Sequence, residues 1–412
     1  MLDRLINLFI RGSSLLSRFI LLFIIGIYLK PEDVGLYGLL LSYISYCIYA
    51  IGFEFYNYST REIVNADREQ WGWILKNQVV FTSIVYAVVL PLLSLIFIFH
   101  LLPFDLILWF YLILVFEHLS HELNRILVAM SKPLWAGFVL FFRTAVWSII
   151  VIILMLGISS QRTLDVILLY WFLGVFTATI IGIIFVIILS KTAVKIPISK
   201  KWIFKGIVIA LPLLVASLAL RGLFSFDKIF IERIGGLDIL GPYALFAGVS
   251  AAVIAFVDAG IIVFYYPKII KAAKLNDLVL IKKYNTQLYF QIIILSLFLI
   301  LCGVIVVKIF LPYFGDKIYE QYIYFLYWQM ASVFIYCLGV IPQLTLYGFG
   351  KDVIILVSHL LSLAVFFALY ILLKDSCGVN AVVIGQFVSF IFMYLMKIIA
   401  LNYVVLKNIK KG

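Results

Sequence analysis

Twelve long apolar runs, separated only by short polar stretches, constrain this chain more than any motif in it. A helix needs about 20 mostly apolar residues to cross the hydrocarbon layer, and it satisfies its own backbone groups there without water. The runs 5–29, 36–58, 76–99, 104–128, 134–156 and 165–189 meet that length, as do 205–231, 242–266, 285–310, 320–347, 353–373 and 379–405. With 65% of its 412 residues hydrophobic and 13% charged, the chain has far more apolar surface than a soluble core can hide. The expectation is an all-α polytopic membrane protein with twelve transmembrane helices, and no stretch between them is long enough for a soluble domain.

The first run follows a basic start, as a secretory signal does. It is too long for one, and Ile27-Tyr28-Leu29-Lys30 offers no small-residue cleavage site, so it is read as helix one. Cys47, Cys302, Cys337 and Cys377 stand singly in apolar surroundings. That spacing supports neither a disulfide framework nor a metal knuckle, and the four read as small buried hydrophobes.

The basic residues alternate by loop. Lys191, Lys195, Lys200, Lys201 and Lys205 crowd the link between helices six and seven, and Lys268, Lys271, Lys274, Lys282 and Lys283 the link between eight and nine. Arg61, Arg68 and Lys76 follow helix two, Arg125 and Lys132 helix four, and Lys407, Lys410 and Lys411 end the chain. The other loops hold only Lys30, Arg162, Arg233, Lys317 and Lys374, so the positive-inside rule puts both termini in the cytoplasm. The formal charge of +12 is thereby topological. Lysines scattered over separate loops, without clustered aromatic or groove-reading patterns, argue against a nucleic-acid partner.

A short pattern occurs twice: Glu32-Asp33-Val34-Gly35-Leu36-Tyr37 and Asp238-Ile239-Leu240-Gly241-Pro242-Tyr243. A second echo pairs Ala129-Met130-Ser131-Lys132 with Gly348-Phe349-Gly350-Lys351. Together they describe two related six-helix bundles, 1–190 and 205–412, joined by a basic linker over 191–204. An even helix count makes the repeat parallel, and both copies of the first motif are expected on the outer loop after the first helix of their half. Glycine there supplies backbone freedom and tyrosine suits the membrane interface, so the bland reading of the motif is architectural.

Function is sought among charges the membrane makes costly, at about 2.5–3.5 kcal/mol each near the bilayer centre on insertion scales. Arg11, Ser14 and Arg18 stack on one face of helix one, and Arg18 lies about 20 Å of helix rise from Leu5. Arg143 falls near mid-depth in helix five, and Arg221 in the outer half of helix seven. The acidic candidates are Glu54 with Asn57 and Arg61 in helix two, Glu117 with His121 and Arg125 in helix four, and Asp258 in helix eight; His118 and Glu122 lie alongside. The competing reading is that these groups pair off and only fix helix packing, with those near helix ends snorkelling to the interface. An excess of arginine over carboxylate points to a cationic cavity, and guanidinium forks suit phosphate oxygens.

Catalytic and metal signatures do not emerge. Glu117-His118-Leu119-Ser120-His121-Glu122 lacks the spacing that places two histidines one turn apart about a carboxylate, and no metal or other cofactor is expected. No phosphate-binding GxxxxGK[ST] loop is present, and no nucleophile has a base at a recognisable spacing, so the chain is not read as an enzyme.

The run from Leu29 to Tyr37 after an arginine-bearing first helix resembles the start of the Wzx-type polysaccharide-biosynthesis flippases. Asp227-Lys228-Ile229-Phe230, Gly235-Gly236 and Gly241-Pro242-Tyr243-Ala244 look like the junction of helices seven and eight in that family. The resemblance implies a V-shaped pair of six-helix bundles around a central cavity, in the multidrug/oligosaccharidyl-lipid/polysaccharide exporter superfamily. It further implies a flippase that turns an undecaprenyl-diphosphate-linked oligosaccharide to the outer leaflet of the bacterial cytoplasmic membrane by alternating access. Carried over by position, Arg11, Arg18, Arg143 and Arg221 would line the substrate path, and Glu54, Glu117, His121 or Asp258 would serve ion coupling. Membrane lipid and the lipid-linked glycan are the implied partners, with a glycan polymerase and its chain-length machinery as protein partners.

Three other readings stay open. A multidrug-and-toxin antiporter shares the fold but calls for a carboxylate-dominated cavity, whereas helix one has no acid beyond Asp3. A peptidoglycan-precursor flippase would need two more helices. A membrane glycan polymerase or ligase would need a substantial outer loop to carry its catalytic residues.

Overall fold

The computed structural model describes residues 2–190 and 197–409, with the side chains of 2–5, 7–9, 11 and 407–409 outside that description. Lys191 and Lys195 of the linker and the Arg11 side chain therefore lie outside the described residues. Among the described residues helices joined by short turns make up the chain, and there is no strand. The helices are α1 Leu2–Tyr28, α2 Pro31–Gly52, α3 Tyr56–Asn65, α4 Trp71–Leu93, α5 Leu95–Ile98, α6 Ile107–Ala129, α7 Pro133–Phe141, α8 Trp147–Gly157 and α9 Leu164–Leu189. They continue as α10 Lys200–Leu223, α11 Phe226–Val257, α12 Val263–Lys274, α13 Leu278–Phe310, α14 Ile318–Gln321, α15 Tyr324–Gly348, α16 Asp352–Cys377 and α17 Asn380–Ile409.

Among the described residues ten helical stretches are long and apolar enough to cross a membrane, and one of them, Lys200–Lys274, has 75 residues, long enough for two crossings. Gly12–Tyr28 adds a shorter apolar helix, and the described residues are compatible with the expected twelve. Large apolar side chains stand uncovered along these helices, among them Val88, Leu92, Ile187, Phe290 and Phe298. Such a surface is stable against lipid and not against water, and the chain is a multi-pass membrane protein.

The repeated motif does not lie in loops. Pro31 opens α2, with Glu32 and Asp33 in its first turn, where proline's fixed φ and negative charge both suit a helix start. The second copy lies inside α11, directly after a kink at Gly236, whose φ of 78° is open to glycine and strained for other residues. Helix seven likewise ends earlier than expected, at Leu223, and the chain turns at Phe224–Ser225 before α11 begins.

The second echo is a repeated helix stop. Ser131 (φ 59°) and Gly350 (φ 66°) occupy the same left-handed position. The bonds match one for one: Lys132 N donates to Leu127 O at 2.9 Å and Lys351 N to Leu346 O at 2.9 Å, while Ser131 and Gly350 donate to Val128 O and Tyr347 O at 3.0 Å each. Both turns thus satisfy the last carbonyls of their helices in the same six-to-one manner.

Contacts group the residues into two units, Met1–Leu29 with Leu40–Leu218, and Lys30–Leu39 with Ala219–Gly412. In unit 1, Phe55 stacks on Phe81 (centroids 4.0 Å apart) and meets the Trp202 ring at 5.6 Å. Trp202 donates to Glu62 at 3.2 Å, Trp73 to Pro197 O at 3.1 Å, and Arg68 to Leu189 O at 3.1 Å. These bonds gather the loop after α3, the end of α9 and the start of α10 at one end of the unit, all segments expected on the cytoplasmic face. The Arg162 guanidinium covers the Tyr28 ring at 3.9 Å, joining two segments expected on the opposite face.

Unit 2 is tied by a buried polar knot. The Asp227 carboxylate accepts from Tyr243 Oη (2.8 Å), Gln386 Nε2 (3.0 Å) and Lys228 Nζ (3.3 Å). Gln329 Nε2 donates to Tyr243 O at 3.2 Å. Tyr243, the tyrosine of the second motif copy, is fully buried, so it braces the kinked α11 instead of lying at a wet interface.

Candidate functional site

Helix five is interrupted midway by a π-turn over Phe142–Val146, which carries Arg143. A π-turn leaves a backbone carbonyl without its usual helical partner, and side chains take up the vacancy here. Trp147 Nε1 donates to Arg143 O at 2.9 Å, Thr144 Oγ1 to Leu140 O at 2.6 Å, and Ser148 Oγ to Thr144 O at 2.9 Å. The Arg143 side chain points into the unit and is 8% exposed. Its Nε and Nη1 have no acceptor among the described residues. The charges that reach it are Glu117, Arg18 and Arg125, one carboxylate against two further guanidinium groups.

Those neighbours differ in how far they are committed. Arg125 pairs with Glu122 at 2.8 Å and lies 3.5 Å above the Tyr56 ring, and Gln78 Nε2 donates to the same carboxylate at 3.0 Å. Glu117 is buried, and its Oε2 has no partner among the described residues. Arg18 is exposed on α1. Unit 1 therefore holds a satisfied ion pair, Arg125–Glu122, beside an unsatisfied pair of charges, Arg143 and Glu117.

Glu54 occupies a different place. Between α2 and α3 the backbone turns left-handed at two successive non-glycine residues, Phe53 (φ 54°) and Glu54 (φ 55°). Such residues cost about 1–3 kcal/mol each and persist where the surroundings hold them. The buried Glu54 carboxylate accepts from Asn57 Nδ2, and its charge reaches Glu122. His118 is buried, with Tyr86 Oη 2.6 Å from its Nδ1. Its Nε2 fits against Gly52, where a methyl group would come within 2.9 Å. His121 has partners of its own and is half-buried. Among the described residues no three His, Cys, Asp or Glu side chains gather closely enough to hold a metal ion.

In unit 2, Arg221 ends α10 and Asp258 opens a second π-turn, Asp258–Ile262, between α11 and α12. Both side chains are exposed, and each lies within electrostatic reach of the other. The Asp258 charge also reaches Cys337 of α15.

Of the eight residues expected at a site, Arg18, Arg143 and Glu117 are thus brought together in unit 1, and Arg221 and Asp258 in unit 2. Glu54 belongs with Asn57 and Glu122, His121 is half-buried with contacts of its own, and Arg11 is outside the description. The chain also holds a residue that sequence reasoning passed over: Lys397 of α17 is 1% exposed, and its Nζ donates to Gln343 Oε1 at 2.6 Å. Its signal was a lone lysine between Met396 and Ile398 in an apolar run. An apolar groove of about 290 Å3 lined by Phe138, Phe142, Ile181, Ile184 and Phe185 lies on unit 1 and offers no polar group to a ligand.

No protein-family model and no curated protein matches the sequence. Solved structures match over nearly the whole chain. An inward-facing multidrug resistance MATE family transporter of the MOP superfamily superposes with a TM-score of 0.69 at 15% identity, covering 97% of this chain and 98% of that one. A MATE protein in complex with MaL6 gives 0.59 at 15% identity, covering 97% and 95%. A MOP superfamily transporter from Pyrococcus furiosus, described by a reverse polarity of its binding pocket that suggests a different function, gives 0.55 at 15% identity, covering 97% and 94%. The chain has the MATE/MOP transporter fold.

Proposed function

We propose that the chain is a transporter that carries an anionic lipid-linked glycan, an undecaprenyl-diphosphate-linked oligosaccharide, across a bacterial cytoplasmic membrane by alternating access. The observation that carries this reading is Arg143: a buried guanidinium with two nitrogens lacking acceptors, and two more arginines within reach. A buried cation whose N–H groups lack acceptors is costly, and a passing oxyanion relieves that cost. In this reading Arg11, Arg18, Arg143 and Arg221 take the diphosphate, and Glu54, Glu117, His121 and Asp258 are the candidates for ion coupling. Glycan assembly partners, a polymerase and its chain-length machinery, would act on the product, and both termini lie in the cytoplasm.

The fold supports transport in general, and fold alone does not name a cargo. The Pyrococcus furiosus protein, described by a reverse polarity of its binding pocket, supports the idea that pocket character can differ on this scaffold. A second reading, an ion-coupled multidrug antiporter, draws on the MATE neighbours and on the exposed Asp258. The two separate in cells lacking the chain. The flippase reading expects loss of surface glycan with no change in drug tolerance; lowered tolerance to cationic drugs with normal glycan would replace it by the antiporter.

A further inference from the structure

The basic residues expected on the cytoplasmic face divide by use. In unit 1, Arg125 pairs with Glu122, Arg68 donates to Leu189 O, and Lys205 lies 5.8 Å from the Tyr58 ring. In unit 2, Lys268, Lys271 and Lys274 of α12 and Lys282 and Lys283 of α13 are all exposed, and no carboxylate among the described residues pairs with them. We propose that this α12–α13 hairpin is a docking surface for the anionic phosphodiester headgroups of the lipid leaflet it meets. The proposal goes beyond the transport reading and does not depend on the cargo.

The lysines stand on a fixed scaffold. α12 closes at Asn276, whose φ of 54° is left-handed, with Asn276 N donating to Ala273 O and Asp277 N to Ala272 O at 3.1 Å each. Asp277 then caps α13, its carboxylate accepting from Leu280 N at 2.9 Å. Ala272, Ala273 and Ile281 form a buried seam between the two helices, and Phe349 packs on it from the turn after α15. Gly348 lies so close that a methyl group there would come within 2.8 Å of the Ala273 side chain. That turn brings Lys351, also exposed, to the same end of the unit.

Helix length sets the depth of these charges. α13 has 33 residues, about 50 Å of rise, against about 30 Å of hydrocarbon and about 40–45 Å with both headgroup layers included. One end must stand in or past a headgroup layer, and the polar run Lys282-Lys283-Tyr284-Asn285-Thr286-Gln287 marks which. Tyrosines lie at the same level, as suits the membrane interface: Tyr265 meets Tyr284 at 6.2 Å and Tyr266 meets Tyr347 at 6.0 Å, with Lys268 Nζ 5.0 Å from the Tyr265 ring. A cluster of about four to eight basic residues directly beside a membrane helix is the pattern that holds anionic lipid. A protein partner would need more than charge. At the tip, among the described residues, the large exposed apolar side chains are Leu275 and Val279, far short of the buried core of a stable protein interface.

Native mass spectrometry of the full chain in detergent, titrated with phosphatidylglycerol or phosphatidylcholine, reads the affinity of bound lipid directly. Phosphatidylglycerol is expected to bind more tightly, by about fivefold for each lysine engaged, and less so as ionic strength rises. Lys282→Gln with Lys283→Gln should remove most of that preference, and Lys282→Arg with Lys283→Arg should keep it. Lys200→Gln with Lys201→Gln takes the same charge from an exposed pair at the start of α10 and should leave the preference unchanged. Equal loss in the two glutamine variants would reduce the effect to net charge and overturn the proposal, as would an unsubstituted chain that binds both lipids alike. Binding of polyglutamate that depends on Lys282 and Lys283, without any lipid preference, would make the surface a protein dock and overturn it equally.

Discussion

Gly35 and Gly241, the glycines of the two motif copies, meet backbone to backbone: a methyl group on Gly35 would sit 3.2 Å from the amide nitrogen of Gly241. That same methyl would overlap the carbonyl oxygen of Leu237, and one on Gly241 would overlap the carbonyl oxygen of Pro31. Gly38 continues the contact against Ala244. The motif recurs because each copy forms half of one close helix crossing, where only small residues let the backbones approach. All of it falls within unit 2, to which Lys30–Leu39 belongs.

Replacing Gly35 or Gly241 by alanine is therefore expected to destabilise the protein by about 1–3 kcal/mol, since backbone atoms cannot rotate aside as side chains do. Thermal unfolding in detergent reads this directly. Gly12, with no heavy atom within 4 Å of a built methyl group, is the control, and its alanine variant should melt as the parent does.

Gly52→Ala should act at a distance in sequence. Its methyl would press on His118 Nε2 and loosen the bond to Tyr86. A loss of about 1–2 kcal/mol is expected, and it should be non-additive with Tyr86→Phe because both changes remove the same bond. Additive losses in the double variant would separate Gly52 from that bond.

Arg125 and Arg143 should respond oppositely to removal. Arg125→Ala strands Glu122 with Gln78 alone and is expected to cost about 3 kcal/mol. Arg143→Met removes a buried charge lacking acceptors on two nitrogens, so its melting temperature should hold or rise while function is lost. Equal destabilisation by both would mean that Arg143 is a packing residue.

Lys397→Met should behave like Arg143→Met in stability. The lysine is buried against one neutral amide, and methionine keeps the length of the stem without the charge. Gln343→Leu, which strips the ammonium of that amide, should lower the melting temperature.

The helices were legible because the lipid demands length and apolarity, and both are written in composition. Their interruptions were not. Phe53 and Glu54 adopt left-handed backbone without glycine, and no residue pattern marks the π-turns at Phe142 and Asp258, since tertiary packing decides them. The motif's place inside α2 was signalled by Pro31, Glu32 and Asp33, the ordinary marks of a helix start, which a reading based on apolar length overrode. Arg143 was found by depth alone. That its Nε and Nη1 have no acceptor among the described residues, and Glu122's claim on Arg125, required coordinates, because a face shared along one helix does not say which partner wins.

The central claim is that arginines of the membrane-spanning helices, one of them buried, carry an anionic glycan lipid. It is tested most directly by surface glycan measured in cells whose only copy of this protein carries Arg18→Gln, Arg143→Gln or Arg221→Gln. Normal membrane levels of each variant, loss of surface glycan and accumulation of the lipid-linked precursor are expected, most severely for Arg143→Gln. Full surface glycan in all three variants would contradict the account.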